Sequence, residues 1–159
     1  MSTSLQRMTD EAFARFNKVA IADYADENVA SGRWPVEGAL ERSRQEHERL
    51  LPQGLATPNQ HLFTIHDDAQ DVDVGVLWLS VTEHPGSRSG FVYDVAIDPA
   101  HRRCGHARAA FVALEAVARE LEVNDIGLHV FAHNEAAQAL YRALGYQTTG
   151  INMRKRMNP

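Results

Sequence analysis

The strongest chemical signal in the sequence is a short basic segment that follows an apolar run. Residues 95–97 are Val-Ala-Ile, Pro99 marks a turn, and Arg102, Gly105 and Ala107 then form the pattern Arg-x-x-Gly-x-Ala. A helical pattern follows, so free backbone N–H groups and the positive end of the helix dipole should point at one place. Gly105 has no Cβ, which lets a ligand approach the backbone closely. The segment therefore predicts a site for a phosphate or pyrophosphate group.

Positive charge surrounds this segment, although the whole chain carries a formal net charge of −5. The contributing residues are His101, Arg102, Arg103, His106 and Arg108. Two other phosphate-binding patterns, Gly-x-Gly-x-x-Gly and Gly-x-x-x-x-Gly-Lys-Ser/Thr, do not occur in the sequence, and the absence of the second excludes a P-loop nucleotidase. Taken by itself, the segment also fits a plain helix start with a small residue for packing.

A second motif lies downstream and supports a functional interpretation of the first. Residues 126–131 predict a strand, and Glu135 to Leu144 predict a helix that ends at Gly145. The residues of this motif are Asn134, Ala137, Leu140, Tyr141, Leu144, Gly145 and Tyr146. Together the two motifs resemble those of the GNAT family of N-acetyltransferases, and the resemblance covers residues 91–157.

The resemblance implies an enzyme that moves acetyl from acetyl-CoA directly to a primary amine in a ternary complex, without a metal ion. Acetyl-CoA would be the co-substrate, and it would contact Val95, Ala96, Ile97, Arg102, Arg103, Cys104, Gly105, His106, Ala107, Arg108 and Asn134. The backbone N–H of Val95 or Ala96 would donate to the thioester oxyanion, while Ile97 would pair with the pantetheine arm. A CoA-binding sensor or interaction module without efficient catalysis is the alternative function.

Acetyl transfer to an amine needs a base and an acid. An alkylamine with a pKa of about 10.4 is almost fully protonated at pH 7, so it must lose a proton before it attacks. His129 is the expected base, at a position where related enzymes often carry Glu; the other candidates are His133, Glu27, Tyr93, Asp94 and a water relay. Tyr141 is the expected acid, because the family's Tyr at this position lies near the CoA sulfur. Packing of the last helix is the other role open to Tyr141.

The acceptor side is assigned to the first two helices and the loop of residues 31–35, again by resemblance. Trp34 fits a lid, a stacking surface for a cationic amine, or a packing contact between the helices. Asp23, Asp26 and Glu27 fit an acidic cluster that attracts an ammonium group, or simply a solvated helix face. The acceptor is expected to be a small-molecule amine or an amine of a peptide or protein.

Composition sets the broader expectations. The 159 residues suit one acetyltransferase domain, with acceptor-side helices in residues 1–55 and the acetyl-CoA-binding core in residues 90–157. The negative net charge argues against nucleic acid as a partner, and the single cysteine suits a reducing cytoplasm. No signal peptide or long apolar run is visible, so a soluble cytoplasmic protein without membrane contact is expected. Homodimer formation stays open.

The remaining patterns predict the elements that position these motifs. Thr9 should cap a first helix that ends at Ser31-Gly32, and Pro35 should start a second helix that ends near Leu51. Strands are predicted at residues 5–8, 61–66, 72–81 and 90–97, with a closing hairpin of residues 147–149 and 151–157 around Gly150. The fold class is therefore α+β: a GNAT-like mixed, mostly antiparallel central sheet with one parallel strand pair, flanked by helices. The parallel pair is residues 90–97 with residues 126–131.

Overall fold

The computed structural model describes residues 2–158, which divide into two units, residues 2–129 and residues 130–158. The first unit contains β1 (Thr3–Arg7), α1 (Asp10–Ala30), α2 (Ala39–Leu50), β2 (Gln60–Asp67), β3 (Val72–His84), β4 (Ser87–Ile97), α3 (His106–Glu120) and β5 (Asp125–Leu128). The second unit contains α4 (Glu135–Ala143). No helix within residues 2–158 combines the length and the apolar character needed to cross a membrane.

The five strands form one sheet in the order β1-β2-β3-β4-β5. The first three pairings are antiparallel, as expected for strands joined by short turns, and β4 pairs with β5 in parallel because α3 carries the chain back across the sheet. The predicted α+β class, with a mostly antiparallel sheet and one parallel pair, is therefore confirmed.

The parallel pair is short, and this shortness shapes the site. It runs from Ser89 opposite Asp125 to Val92 opposite Leu128, whereas β4 continues to Ile97. The sequence predicted a fifth strand of residues 126–131, but β5 stops at Leu128. Among the described residues, residues 93–97 thus have no strand partner on the β5 side.

Helices cover both faces of the sheet in the first unit. On one face, Phe111 and Leu114 of α3 are fully buried, and α3 contacts β1, β2 and β4. On the other face, Phe16 of α1 packs in a cluster with Leu62 and Trp78 from the sheet. The alternation of apolar side chains between the two faces of β2 and β3 makes this three-layer arrangement possible.

The start of the first helix is as predicted, but the start of the second is not. The Thr9 hydroxyl accepts a hydrogen bond from the Ala12 N–H at 3.1 Å and so caps α1. Pro35 does not start α2, which begins four residues later, at Ala39. The N–H groups of residues 33 and 34 both donate to the Asn28 carbonyl. These bonds turn the chain back on α1, so α2 cannot begin at Pro35. Gly38, with φ +76°, then supplies the left-handed turn into α2.

The predicted closing hairpin of residues 147–149 and 151–157 is wrong for the described structure. No strand occurs within residues 147–158, and the side chains of Ile151, Met153 and Met157 are 79–91% exposed. A hairpin without a covering layer is marginal in water, so the alternating pattern of apolar and basic residues is by itself insufficient to form one.

Candidate active site

The basic loop before α3 presents a row of backbone N–H groups. Among residues 2–158, nothing accepts a hydrogen bond from the N–H groups of residues 103–108. Arg103 and Gly105 have positive φ values of 61° and 82°, and Gly105 is the N-cap of α3 without any side-chain cap. Successive N–H groups in such a conformation form a concave anion site, strengthened by the helix dipole. The loop geometry therefore suits a pyrophosphate group.

The side chains of the loop add positive charge and a link to the sheet. Arg102, Arg103 and Arg108 are exposed, and the Arg102 Nε donates to the Ile97 carbonyl at 2.9 Å. Cys104 is also exposed, while Ala107 is half-buried. Because of the Arg102 contact, the loop is tied to the last residue of β4.

His106 differs from the sequence expectation. Its side chain is only 6% exposed and points into the protein, so it does not add charge to the loop surface. Its N–H group still belongs to the row described above. A histidine at the first position of a helix turns inward here because the first turn of α3 packs on the sheet edge at β1.

The open edge of β4 continues from this loop. The Asp98 N–H donates to the Val74 carbonyl at 2.8 Å, so the strand alternation directs the Ala96 N–H and C=O toward β3 as well. In agreement, a Cβ on Gly75 would overlap the Ala96 carbonyl oxygen. Val95 and Ile97 consequently turn their N–H groups to the side that β5 leaves open. Of the two residues expected to donate to the oxyanion, Val95 directs its N–H to the open side and Ala96 directs its N–H toward β3.

β4 bulges where this open edge begins. Trp78 of β3 lies opposite Asp94, but the next pair is Leu79 with Val92, so Tyr93 is an extra residue. The Tyr93 ring lies 4.9 Å from the Trp78 ring and is 47% exposed. Bulges re-aim side chains next to active sites, and this one places Asp94 and Tyr93 at the end of the β4–β5 pairing.

Aromatic rings from α1, α2 and β3 surround the Asp94 side of the sheet. Tyr24 contacts Trp34 edge-on at 5.5 Å and His47 at 5.8 Å, and His47 lies 6.4 Å from Trp78. The Trp34 N–H donates to the Asn28 carbonyl at 3.1 Å. Trp34 is thus held as a fixed wall against α1, which favours the packing interpretation over a lid.

Burial is the largest cause that raises the pKa of Asp94 above its ordinary value, and the nearby carboxylate of Glu27 is the next. Asp23 acts in the same direction, whereas the Val95 N–H and His47 lower the pKa of Asp94. The shift means that Asp94 holds a proton at higher pH than an ordinary aspartate. Of the three carboxylates singled out in the sequence, Asp23 and Glu27 therefore act on Asp94, while Asp26 lines a separate groove between α1 and α2.

Two contributors to this site were missed in the sequence. His47 is buried in α2, with its Nδ1 2.9 Å from the Ser43 carbonyl, and Trp78 donates from Nε1 to Gln60 at 2.7 Å. The Ser43–His47 spacing is visible in the sequence, but a pair four residues apart in a polar helix carries no sign of which sheet residue it will face. His129, the expected base, is an exposed residue directly after β5.

The second unit holds the other two expected residues. The Asn134 Oδ1 accepts from the Ala137 N–H at 3.2 Å and caps α4. Tyr141 is half-buried and packs edge-on against Tyr146, with ring centres 5.8 Å apart. Burial raises the pKa of the Tyr141 phenol. Gly145 ends the helix with φ +95°, as the sequence predicted for the end of this motif.

Residues 21–146 match the family model described as acetyltransferase (GNAT) family. The chain belongs to the GNAT family. It is 36% identical over 157 residues to a Bacillus subtilis (strain 168) protein named uncharacterized N-acetyltransferase YdgE, covering 99% of both chains. It is also 37% identical over 158 residues to a second protein of that strain, uncharacterized N-acetyltransferase YycN, covering 99% of this chain and 100% of the relative.

The crystal structure of YycN resembles this structure along its length, with a TM-score of 0.89 over 99% of this chain and 100% of that chain. The resemblance inferred from the two motifs is therefore confirmed, and with it the acyltransferase class to which this GNAT chain and its relatives belong.

Proposed function

We propose that the chain is an acetyl-CoA-dependent N-acetyltransferase that moves acetyl directly to a primary amine in a ternary complex. The observation that carries the proposal is the continuous main-chain surface formed by the open edge of β4 and the N–H row of residues 103–108. This surface offers hydrogen bonds first to an extended amide-containing chain and then to a pyrophosphate, which is the order of groups in CoA.

Acetyl-CoA would bind along this surface as follows. The N–H groups of residues 103–108 would hold the pyrophosphate, with Arg102, Arg103 and Arg108 around it. Ile97 would pair with the pantetheine arm as an added strand does. The Val95 N–H interacts with the Asp94 carboxyl in this structure and would turn to the thioester oxygen when acetyl-CoA binds. The contact of Asn134 with the arm rests on the family resemblance alone; within its own unit the Asn134 Oδ1 caps α4.

The base would take a proton from the acceptor ammonium group. Among the candidates, Asp94 has the strongest structural support, because burial and the Glu27 carboxylate raise its pKa and improve its capacity to accept a proton. The interaction of its carboxyl with the Val95 N–H also puts it beside the proposed oxyanion donor. Asp94 therefore replaces His129 as our first choice for the base, and His129 is the alternative that a variant must test.

The reaction balances without any other reactant. The neutral amine nitrogen attacks the thioester carbonyl carbon, the C–S bond breaks and the nitrogen loses a second proton, so that an amide and a CoA thiolate form. By the family resemblance, Tyr141 would give its phenolic proton to the thiolate; burial raises the pKa of this phenol, so it is in the protonated form at neutral pH. The nitrogen loses one proton from the ammonium group and one after attack. Both pass through Asp94 to solvent, and solvent reprotonates Tyr141.

A panel assay tests the proposal. CoA release from acetyl-CoA is measured with aminoglycosides, polyamines, amino acids, arylamines, and peptides with free N-terminal or lysyl amines, followed by mass spectrometry of the acceptor. An acetylated product from one class, formed only when acetyl-CoA is present, supports the enzyme and identifies the acceptor. Tight CoA binding without product in any class would instead support the non-catalytic CoA-binding module.

A further inference from the structure

His106 is the anchor of the loop that presents the N–H row. It is the only residue of segment 102–108 whose side chain is buried; its exposed fraction is 6%. Residues 102–105 and Arg108 are exposed, and Ala107 is half-buried. His106 is also the first residue of α3 and contributes its own N–H to the row, so its side-chain contacts act on the residue where the row enters the helix.

The partners of His106 come from two neighbouring strands. Thr3 of β1 and Asp67 of β2 lie directly opposite each other in the sheet register, so their side chains share a face. The His106 Nδ1 lies 3.1 Å from the Thr3 Oγ1, and its Nε2 lies 3.8 Å from the Asp67 Oδ2. One ring thus bridges both strands at the start of α3.

Asp67 is itself fixed in place. Its Oδ1 accepts from the N–H groups of Ala69 and Gln70 at 3.0 and 3.3 Å, and its side chain is nearly buried. These bonds hold the turn between β2 and β3 and orient the other carboxylate oxygen toward His106. The anchor therefore connects the loop to rigid parts of the sheet rather than to another loop side chain.

We propose that His106 is a positioning residue that fixes the N–H groups of residues 103–108 for the CoA pyrophosphate, through Thr3 and Asp67. This inference rests on the proposed function. The N–H row finds no acceptor within residues 2–158, so no intrachain hydrogen bond from these groups sets their direction. The direction of the N–H groups is set instead by the His106 anchor and by the hydrogen bond from Arg102 to the Ile97 carbonyl.

Three variants separate positioning from stability. His106→Ala removes the anchor, and Thr3→Val removes only the hydroxyl while keeping the shape of the side chain. His106→Asn keeps a polar atom near the Nδ1 position and should restore part of the lost affinity. His66→Ala is the matched control: His66 precedes Asp67 and is bonded to Asp73 at 2.8 Å, but it points to the opposite face of β2.

The experiment measures the CoA dissociation constant by calorimetry, KM for acetyl-CoA, kcat and Tm. His106→Ala should weaken CoA binding about tenfold, or about 1.4 kcal/mol, and raise KM for acetyl-CoA while kcat stays within about twofold. Thr3→Val should act in the same direction with a smaller effect, and His66→Ala should lower Tm without changing CoA affinity.

Unchanged CoA affinity in both His106→Ala and Thr3→Val, whatever the change in Tm, overturns the inference and leaves the proposed function standing. Should His106→Ala fail to fold, Thr3→Val alone decides. A native protein that binds no CoA overturns the proposed function and this inference together.

Discussion

Asp94 lies directly opposite Trp78 in the β3–β4 register, one residue after the bulge at Tyr93. The pairing puts the Asp94 carboxyl beneath the aromatic group of α1 and α2 and beside the first main-chain groups that β5 leaves open. Burial there raises its pKa, and a base that is both desolvated and next to the reacting carbonyl is what amine acetylation needs. The bulge therefore joins the acceptor side to the acetyl-CoA side of the proposed site.

Replacing Asp94 tests the base. Asp94→Asn keeps the size of the side chain and an oxygen for the Val95 N–H, but it cannot accept a proton. We expect kcat to fall about 100-fold or more, the usual contribution of a positioned general base, with little change in KM for acetyl-CoA. Asp26→Asn, on the same acidic helix as Glu27 but facing a separate groove, is the control. If His129→Ala lowers kcat in this way and Asp94→Asn does not, the base assignment moves to His129.

The same variant should be more stable than the native chain at neutral pH. A carboxyl with a raised pKa in the folded state contributes no penalty at low pH, where both states are protonated, and destabilises the fold as pH rises through that raised pKa. Asn has no proton to lose, so the Tm of Asp94→Asn should exceed the native Tm at pH 8. The two values should converge toward pH 4, and equal Tm values at both pH values would contradict the buried carboxyl.

Glu27 should set the pH at which the base becomes active. Its negative charge raises the pKa of Asp94, so Glu27→Gln should lower that pKa. Because the base works when deprotonated, the acidic limb of the kcat/KM profile should shift to lower pH. The kcat/KM profile should be measured for the native chain, Glu27→Gln and Asp26→Gln, and only Glu27→Gln should show the shift. A shift of its acidic limb to higher pH would disprove the coupling.

The fold followed from sequence patterns more fully than the site did. Thr9, the apolar patterns of β2, β3 and β4, and Gly145 carry local signals, and the helices and strands that they predict are present. The missed start of α2 depends on two backbone hydrogen bonds to Asn28, and the absence of a closing hairpin depends on missing tertiary cover; neither leaves a pattern in the sequence. The site shows the same limit. The Arg-x-x-Gly-x-Ala motif predicted an anion-binding loop, but the environment of Asp94 arises from α1, α2 and a bulge, which only the folded chain brings together.

The proposed role of the Tyr141 phenol as a proton donor can be tested by comparing Tyr141 with Tyr146. Tyr141→Phe removes the proton donor and keeps the ring that packs on Tyr146. We expect kcat to fall about tenfold to 100-fold with KM for acetyl-CoA nearly unchanged, because the thiolate would have to leave without a proton from the phenol. Tyr146→Phe in the same ring pair is the control and should keep full activity. Equal kcat values for all three proteins would assign Tyr141 to packing alone.

Gly105 provides the sharpest test of the anion site. Its φ of 82° is unfavourable for any residue with a Cβ, and a carboxylate there would repel a pyrophosphate. Gly105→Glu should therefore weaken CoA binding about 100-fold or more, or about 3 kcal/mol. Gly86→Glu is a well-matched control, since Gly86 has φ 78° in the turn between β3 and β4 and nothing lies within 4 Å of an added Cβ. Both variants carry the same backbone strain and the same charge, so a difference in calorimetric CoA affinity reports the location of the pyrophosphate. If Gly105→Glu binds CoA with native affinity, the loop is not part of the CoA site, and the open β4 edge is then the only structural support for that site.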